Sequence, residues 1–163
     1  MIGMRADKAA YFLADATLPF YVEFEFDAAA LAAVLARSGL DAAAFKQELL
    51  RLKMFAVRRG LEAQVEASRA QALWGLYLKH MERILDMLFP RHKEAFKAGL
   101  DAALADYAAS CPGVDESLAS SAGAHLARRL GLECEPRLAA YAANAFGRKA
   151  DRLARILSRR IRF

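Results

Sequence analysis

Little in this chain could staple, break or anchor a fold. Two cysteines, Cys111 and Cys134, are too few for a disulfide scaffold. Four prolines and nine glycines leave scant turn material for a many-stranded β protein. The longest uncharged apolar stretches are residues 28–36 and 138–147. Both fall well short of the ~18 residues that a membrane span needs. The first apolar segment carries Arg5, Asp7, Lys8 and Asp15, which makes a poor signal peptide. The expected location is therefore the cytoplasm, with both cysteines as free thiols.

Chemical motifs are missing too. The histidines His80, His92 and His125 stand in no HxxxH or HExxH spacing, and the cysteines form no CxxC. No glutamate is followed three residues later by histidine, which removes the di-iron pattern of helical bundles. No phosphate-cradling glycine loop is present, and no glycine-rich elbow surrounds Ser117, Ser120 or Ser121. No metal, cofactor or catalytic residue is assigned, and a non-catalytic protein is expected.

What is present is helix-forming. The 163 residues are 56% hydrophobic and 26% charged, enough for one domain with a substantial core. Much of the apolar content is alanine, the residue with the best helix propensity. Apolar spacing predicts helices from Ala6 to about Ala16, from Asp27 to Arg37, from Asp41 onward, over residues 61–89 and 91–110, from Asp115 to Leu130, and from Pro136 to the end. Asp27, Asp41 and Asp115 are suited to accept the free N–H groups of a first turn. Gly39 and Gly131 stand where helices end, and Pro136 where one begins. Phe45, Leu49, Leu52 and Ala56 define one buried stripe. A bend is expected near Gly60, because an unbroken helix from Asp41 to Phe89 would run about 70 Å, too long for a compact domain. Val22, Phe24 and Phe26 alternate with Tyr21, Glu23 and Glu25 in a strand period. The fold class is thus all-α, a single-domain bundle (residues 1–163) of six or seven helices, with one short extended segment near residues 20–26.

The net charge of +5 is unevenly placed. Residues 147–163 hold seven basic residues against one acid, Asp151, while the remaining chain holds 17 basic and 18 acidic. Within the amphipathic C-terminal helix expected at about 136–162, Arg148, Arg152, Arg155, Arg159 and Arg162 are spaced four, three, four and three. At about 100° per residue they share a stripe roughly 80° wide. Phe146, Leu153, Leu157 and Ile161 fall opposite. A solvated helix face explains such a stripe. So does a surface for a polyanion such as nucleic acid, since aligned guanidiniums grip phosphates. An acidic protein surface or a second copy of the chain, as in an oligomeric scaffold or adaptor, would also suit it.

Two further features have a site reading. Residues 127–132 resemble a helix-turn-helix in placing Gly131 four after Ala127. Arg137 then stands where an apolar residue belongs, and Glu133 and Glu135 would face phosphates. His80 projects at the helical angle of Leu73, Ile84 and Met87, which predicts a core position. With Trp74 and Tyr77 it marks a candidate pocket, as in a small-molecule-binding bundle or an enzyme.

Overall fold

The computed structural model describes residues 4–17, 28–88, 90–112, 117–158 and 161–162. These form strand β1 (Met4–Arg5), helices α1 (Ala6–Thr17), α2 (Ala28–Ser38), α3 (Ala42–Gln64), α4 (Ala67–Leu88), α5 (Lys93–Ser110), α6 (Ser117–Arg129) and α7 (Pro136–Leu157), and strand β2 (Ile161–Arg162). The chain is the all-α, single-domain bundle that its periodicity predicts. The extended segment expected near residues 20–26 lies outside the described residues, as do Asp27 and Asp115.

The core is organised around α3. Its residues 52–57 are buried without interruption, more than a single helical face can hold, so the helix must be surrounded. It packs against α1, α4, α5, α6 and α7. Phe55, for example, meets Tyr107 of α5 and Phe146 of α7 at ring-centroid distances of 5.3 Å and 5.9 Å. Asp41 caps this helix as expected, its Oδ1 accepting from the Ala43 N–H at 3.2 Å.

The bend expected near Gly60 is displaced. The helix continues through Gly60 and ends at Gln64, where Val65 turns extended at φ −127° and ψ 140°. Glu66 then restarts it as α4, its carboxylate accepting from the Ser68 N–H at 3.2 Å and the Ser68 hydroxyl at 2.7 Å. Those bonds hold the Glu66 carboxyl below its ordinary pKa. Gly60 faces α7, where a Cβ would lie 3.4 Å from Leu153 Cδ1, an ordinary packing distance.

Helix α7 is also shorter than expected. It stops at Leu157, and Ile161 and Arg162 pair in parallel with Met4 and Arg5. Met4 and Ile161 both pack on the core, which favours pairing the two extended ends over a further helical turn.

Helices α2 and α6 end alike. Gly39 and Gly131 have φ of +66° and +68°, the left-handed conformation that glycine adopts without strain. After Gly131, the Leu132 N–H reaches Ala127 O at 2.8 Å and the Gly131 N–H reaches Arg128 O at 2.9 Å. That is a Schellman motif. The six residues 130–135 that follow α6 are more than the three or four of a helix-turn-helix.

Among the described glycines, the closest approach is at Gly123, between α6 and α7. A Cβ placed on Gly123 would fall 2.2 Å from Ala139 O and 2.7 Å from Ala143 N, both backbone atoms. Gly123→Ala must push two helices apart and should lower stability by about 2–4 kcal/mol. Gly147, inside α7 with nothing within 4 Å of its would-be Cβ, provides the contrast. Gly147→Ala should stabilise by roughly 0.5–1 kcal/mol, since only the helix propensity changes. Urea midpoints of the two variants check both signs, and equal midpoints would remove the close-contact account.

Candidate functional site

Polar side chains of α3, α5 and α6 converge beside the core. Glu48 is 4% exposed because it stands on the surrounded helix. A bare carboxylate there would cost several kcal/mol in lost hydration. Instead it accepts hydrogen bonds from the Tyr107 hydroxyl at 3.0 Å, from Arg51 Nη1 at 3.0 Å, and from Arg129 Nε. Through Nη1 the same Arg129 guanidinium also donates to the Asp106 carboxylate. His125 Nε2 lies 2.9 Å from that carboxylate.

The electrostatics agree with this geometry. Asp106 is held below the usual carboxylate range, first by the His125 hydrogen bond and then by that of Arg129. An ionised Asp106 can only accept, so His125 Nε2 carries the proton. Burial, and then the Glu48 charge, push the Tyr107 hydroxyl upward, so it remains a donor. Its ring is gripped by Phe55, by His125 edge-on at 4.9 Å, and by the Arg129 guanidinium 5.6 Å from its centroid. The donors face acceptors inside the cluster, which clamps three helices together. The exceptions are a donor, Arg51 Nε, and an acceptor, His125 Nδ1, both buried with no hydrogen-bond partner among the described residues.

The candidate pocket at Trp74, Tyr77 and His80 does not assemble as expected. Tyr77 is fully buried, and its hydroxyl lies 3.1 Å from Thr17 Oγ1. Thr17 gives its own proton to Leu13 O at 2.8 Å, so Tyr77 must be the donor between them. His80 is not a core residue. Its side chain is 18% exposed, with Nε2 3.2 Å from Asp7 Oδ1 of α1. The helical angle misleads because His80 falls on the flank of the buried stripe, between buried Leu73 and Met87, which is 73% exposed. Of the three residues, Trp74 alone lines the pocket described next.

That pocket is a cavity of about 390 Å³ where α3 turns into α4. Leu61 and Ala70 are buried in its lining, and Arg58, Glu62, Gln71 and Trp74 join them. Trp74 stacks on Tyr77 at 5.1 Å, and the Arg58 guanidinium lies 6.0 Å from a Trp74 ring centroid.

The arginine stripe is only partly in view. Arg148, Arg152 and Arg155 are exposed on α7, opposite buried Leu138, Phe146 and Leu153. Arg152 approaches Asp15 at 3.9 Å, with both side chains about half exposed. Neither Arg148 nor Arg155 has an acidic partner among the described residues. Arg159 lies outside those residues, and Arg162 is described only as backbone in β2. Lys149, next to Arg148 in sequence, turns inward and donates to the carbonyl of Ala16.

Cys111 is buried and Cys134 exposed, and both are free thiols. Among the described residues no three His, Cys, Asp or Glu side chains are grouped to hold a metal ion, and no helix is long and apolar enough to cross a membrane. Comparison with protein-family models, curated proteins and solved structures finds no match.

The Glu48 cluster escapes a reading of motifs because Glu48 lies 59 and 81 residues from Tyr107 and Arg129. One local signal does exist. Residues 49–57 are apolar around nearly the whole helix, with only Arg51 and Lys53 interrupting. Polar residues within or beside such a run must be buried with the rest of the helix.

Glu48→Ala leaves Arg129 and Tyr107 without their shared acceptor and should cost about 3–5 kcal/mol. Tyr107→Phe removes one donor and should cost about 1 kcal/mol. Chemical denaturation measures both, and a Glu48→Ala loss no larger than that of an exposed-site variant would refute the clamp.

Asp106 adds a pH dependence. Its folded pKa lies below the ordinary 3.8, so its contribution is complete above that value and is lost as pH falls through the lowered one. Between about pH 5 and pH 2.5 the urea midpoint of the wild type should fall further than that of Asp106→Asn. Parallel falls would show that the carboxylate contributes nothing.

Proposed function

We propose that this chain is a non-catalytic interaction protein whose α7 presents a basic ridge to a polyanion, with nucleic acid the best-matched class. The observation that carries the reading is the pair Arg148 and Arg155. Both are exposed and form no ion pair among the described residues, and Asp151, one turn from each, is the single acid within α7. Arg152, between them, meets Asp15 only at 3.9 Å in a half-exposed pair, a contact worth little in water.

The helix beneath the ridge supports the reading. Tyr141, Ala145, Phe146 and Leu153 are buried, so α7 is anchored along its length. At 1.5 Å per residue, Arg148, Arg152 and Arg155 stand about 6 Å and 4.5 Å apart along the axis. A fixed row of guanidiniums loses less freedom on binding phosphates than flexible lysines would. Such a row reads charge and not base sequence, so binding should be indifferent to sequence and steeply salt-dependent.

The test changes Arg152, Arg155 and Arg159 together to Gln, which keeps a polar side chain and similar helix propensity while removing three charges. Affinity for duplex DNA and for RNA should fall by similar factors across sequences. The slope of log K against log salt for duplex DNA should shrink by up to about three, with the melting curve unchanged. Filter binding at several salt concentrations measures the slope. A wild-type protein that binds neither polymer at low salt overturns the reading.

A further inference from the structure

The cavity where α3 turns into α4 has a chemistry separate from the basic ridge. Its lining holds one cation, Arg58, and one carboxylate, Glu62, and the two are paired at 3.2 Å. Arg59 also approaches Glu62, at 3.5 Å, but lies outside the lining. The lining itself is therefore charge-neutral. An ion entering it would give up hydration and find its counter-charge already taken. An uncharged ligand loses far less, so the cavity favours neutral molecules.

The remaining walls narrow the class further. Leu61 and Ala70 are buried and give an apolar floor. Trp74 adds an indole wall, steadied by Tyr77 stacked against it at an interplanar angle of 27°. A flat aromatic ring gains stacking at such a wall in addition to burial, which an aliphatic chain does not. At about 390 Å³ the space has room for a bicyclic ring system and falls in the range of small-molecule sites. One polar group of the lining is uncommitted. The Gln71 side-chain amide has no partner among the described residues, and an amide both donates and accepts. A ligand edge that sets a donor beside an acceptor, as a lactam does, meets it with two hydrogen bonds.

We infer that this cavity is a binding site for an uncharged, planar, bicyclic aromatic lactam, which packs on Trp74 and the apolar floor and pairs its amide edge with Gln71. The inference is independent of the ridge, which stands on a different helix. Glu62 and Gln71 are exposed, so replacing either leaves the core intact.

Trp74 is the only tryptophan, so one indole N–H resonance reports on the cavity. Titration with carbostyril, a simple lactam of this class, should move that resonance saturably. The anion kynurenate and the cation tryptamine, bicyclic rings of similar size, should bind at least about tenfold more weakly. N-methylcarbostyril, which has lost the amide proton, should bind about fivefold more weakly. Gln71→Ala should raise the carbostyril Kd about fivefold and narrow its lead over the N-methyl form. Glu62→Gln, which leaves Arg58 without its carboxylate, should tighten kynurenate at least about threefold and leave carbostyril unchanged. Arg148→Gln, on the ridge, should also leave carbostyril unchanged. The inference is overturned if carbostyril does not move the indole resonance, or if either ion binds as tightly. An unchanged carbostyril Kd in Gln71→Ala, or a raised one in Arg148→Gln, overturns it equally. So does a kynurenate Kd that Glu62→Gln leaves unmoved.

Discussion

A carboxylate cannot be buried alone, and α3 buries one. Surrounded by five other helices, α3 carries Glu48 out of water with it. That charge can be held only where donors arrive from α5 and α6 at hydrogen-bond distance. Apolar contacts are non-directional and would tolerate rotation of α3 about its axis. The Glu48 bonds would not, since a small rotation leaves Tyr107 and Arg129 pointing at carbon. The cluster therefore sets the register of three helices, and the apolar core fills in around that register. Arg129 is suited to the junction because one planar guanidinium serves Glu48 and Asp106 at once.

The two surfaces with binding chemistry draw on different parts of this frame. The ridge of α7 relies on the apolar anchoring of its opposite face. The cavity relies on the break at Val65 and Glu66, which turns α4 back and brings Trp74 towards Arg58. Neither surface includes the Glu48 clamp. The most tightly bonded polar groups hold the fold, and the groups available to a ligand lie at its periphery.

Much of the fold was legible in the sequence because helices announce themselves locally. Asp41, Gly39, Gly131 and Pro136 mark ends through short-range hydrogen bonding and dihedral preference, and each stands at the expected boundary. The failures have one cause, which is that a neighbour distant in sequence decided the outcome. Gly60 looks like a break and instead stays helical, facing Leu153 of α7. His80 looks like core by its angle and lies on a flank shared with Asp7 and Tyr11. The end of α7 yields to pairing with a strand more than 150 residues earlier. The candidate sites divide in the same way. The spacing of Arg148, Arg152 and Arg155 sufficed to place them on one exposed face. Arg58, Leu61 and Glu62, which line the cavity with Trp74, come from the preceding helix and could not be read from the α4 pattern.

The crossing of α6 over α7 has a consequence for ancestry. At most positions a bundle absorbs change by moving a side chain, and sequences drift freely while the shape persists. At Gly123 there is no side chain to move, because main chain meets main chain across the seam. Descendants of this chain that keep the crossing must keep glycine there, however far the rest has diverged. Those that lose the glycine must have moved the two helices apart. A single residue thus serves as a signature of common shape, readable where overall similarity has faded.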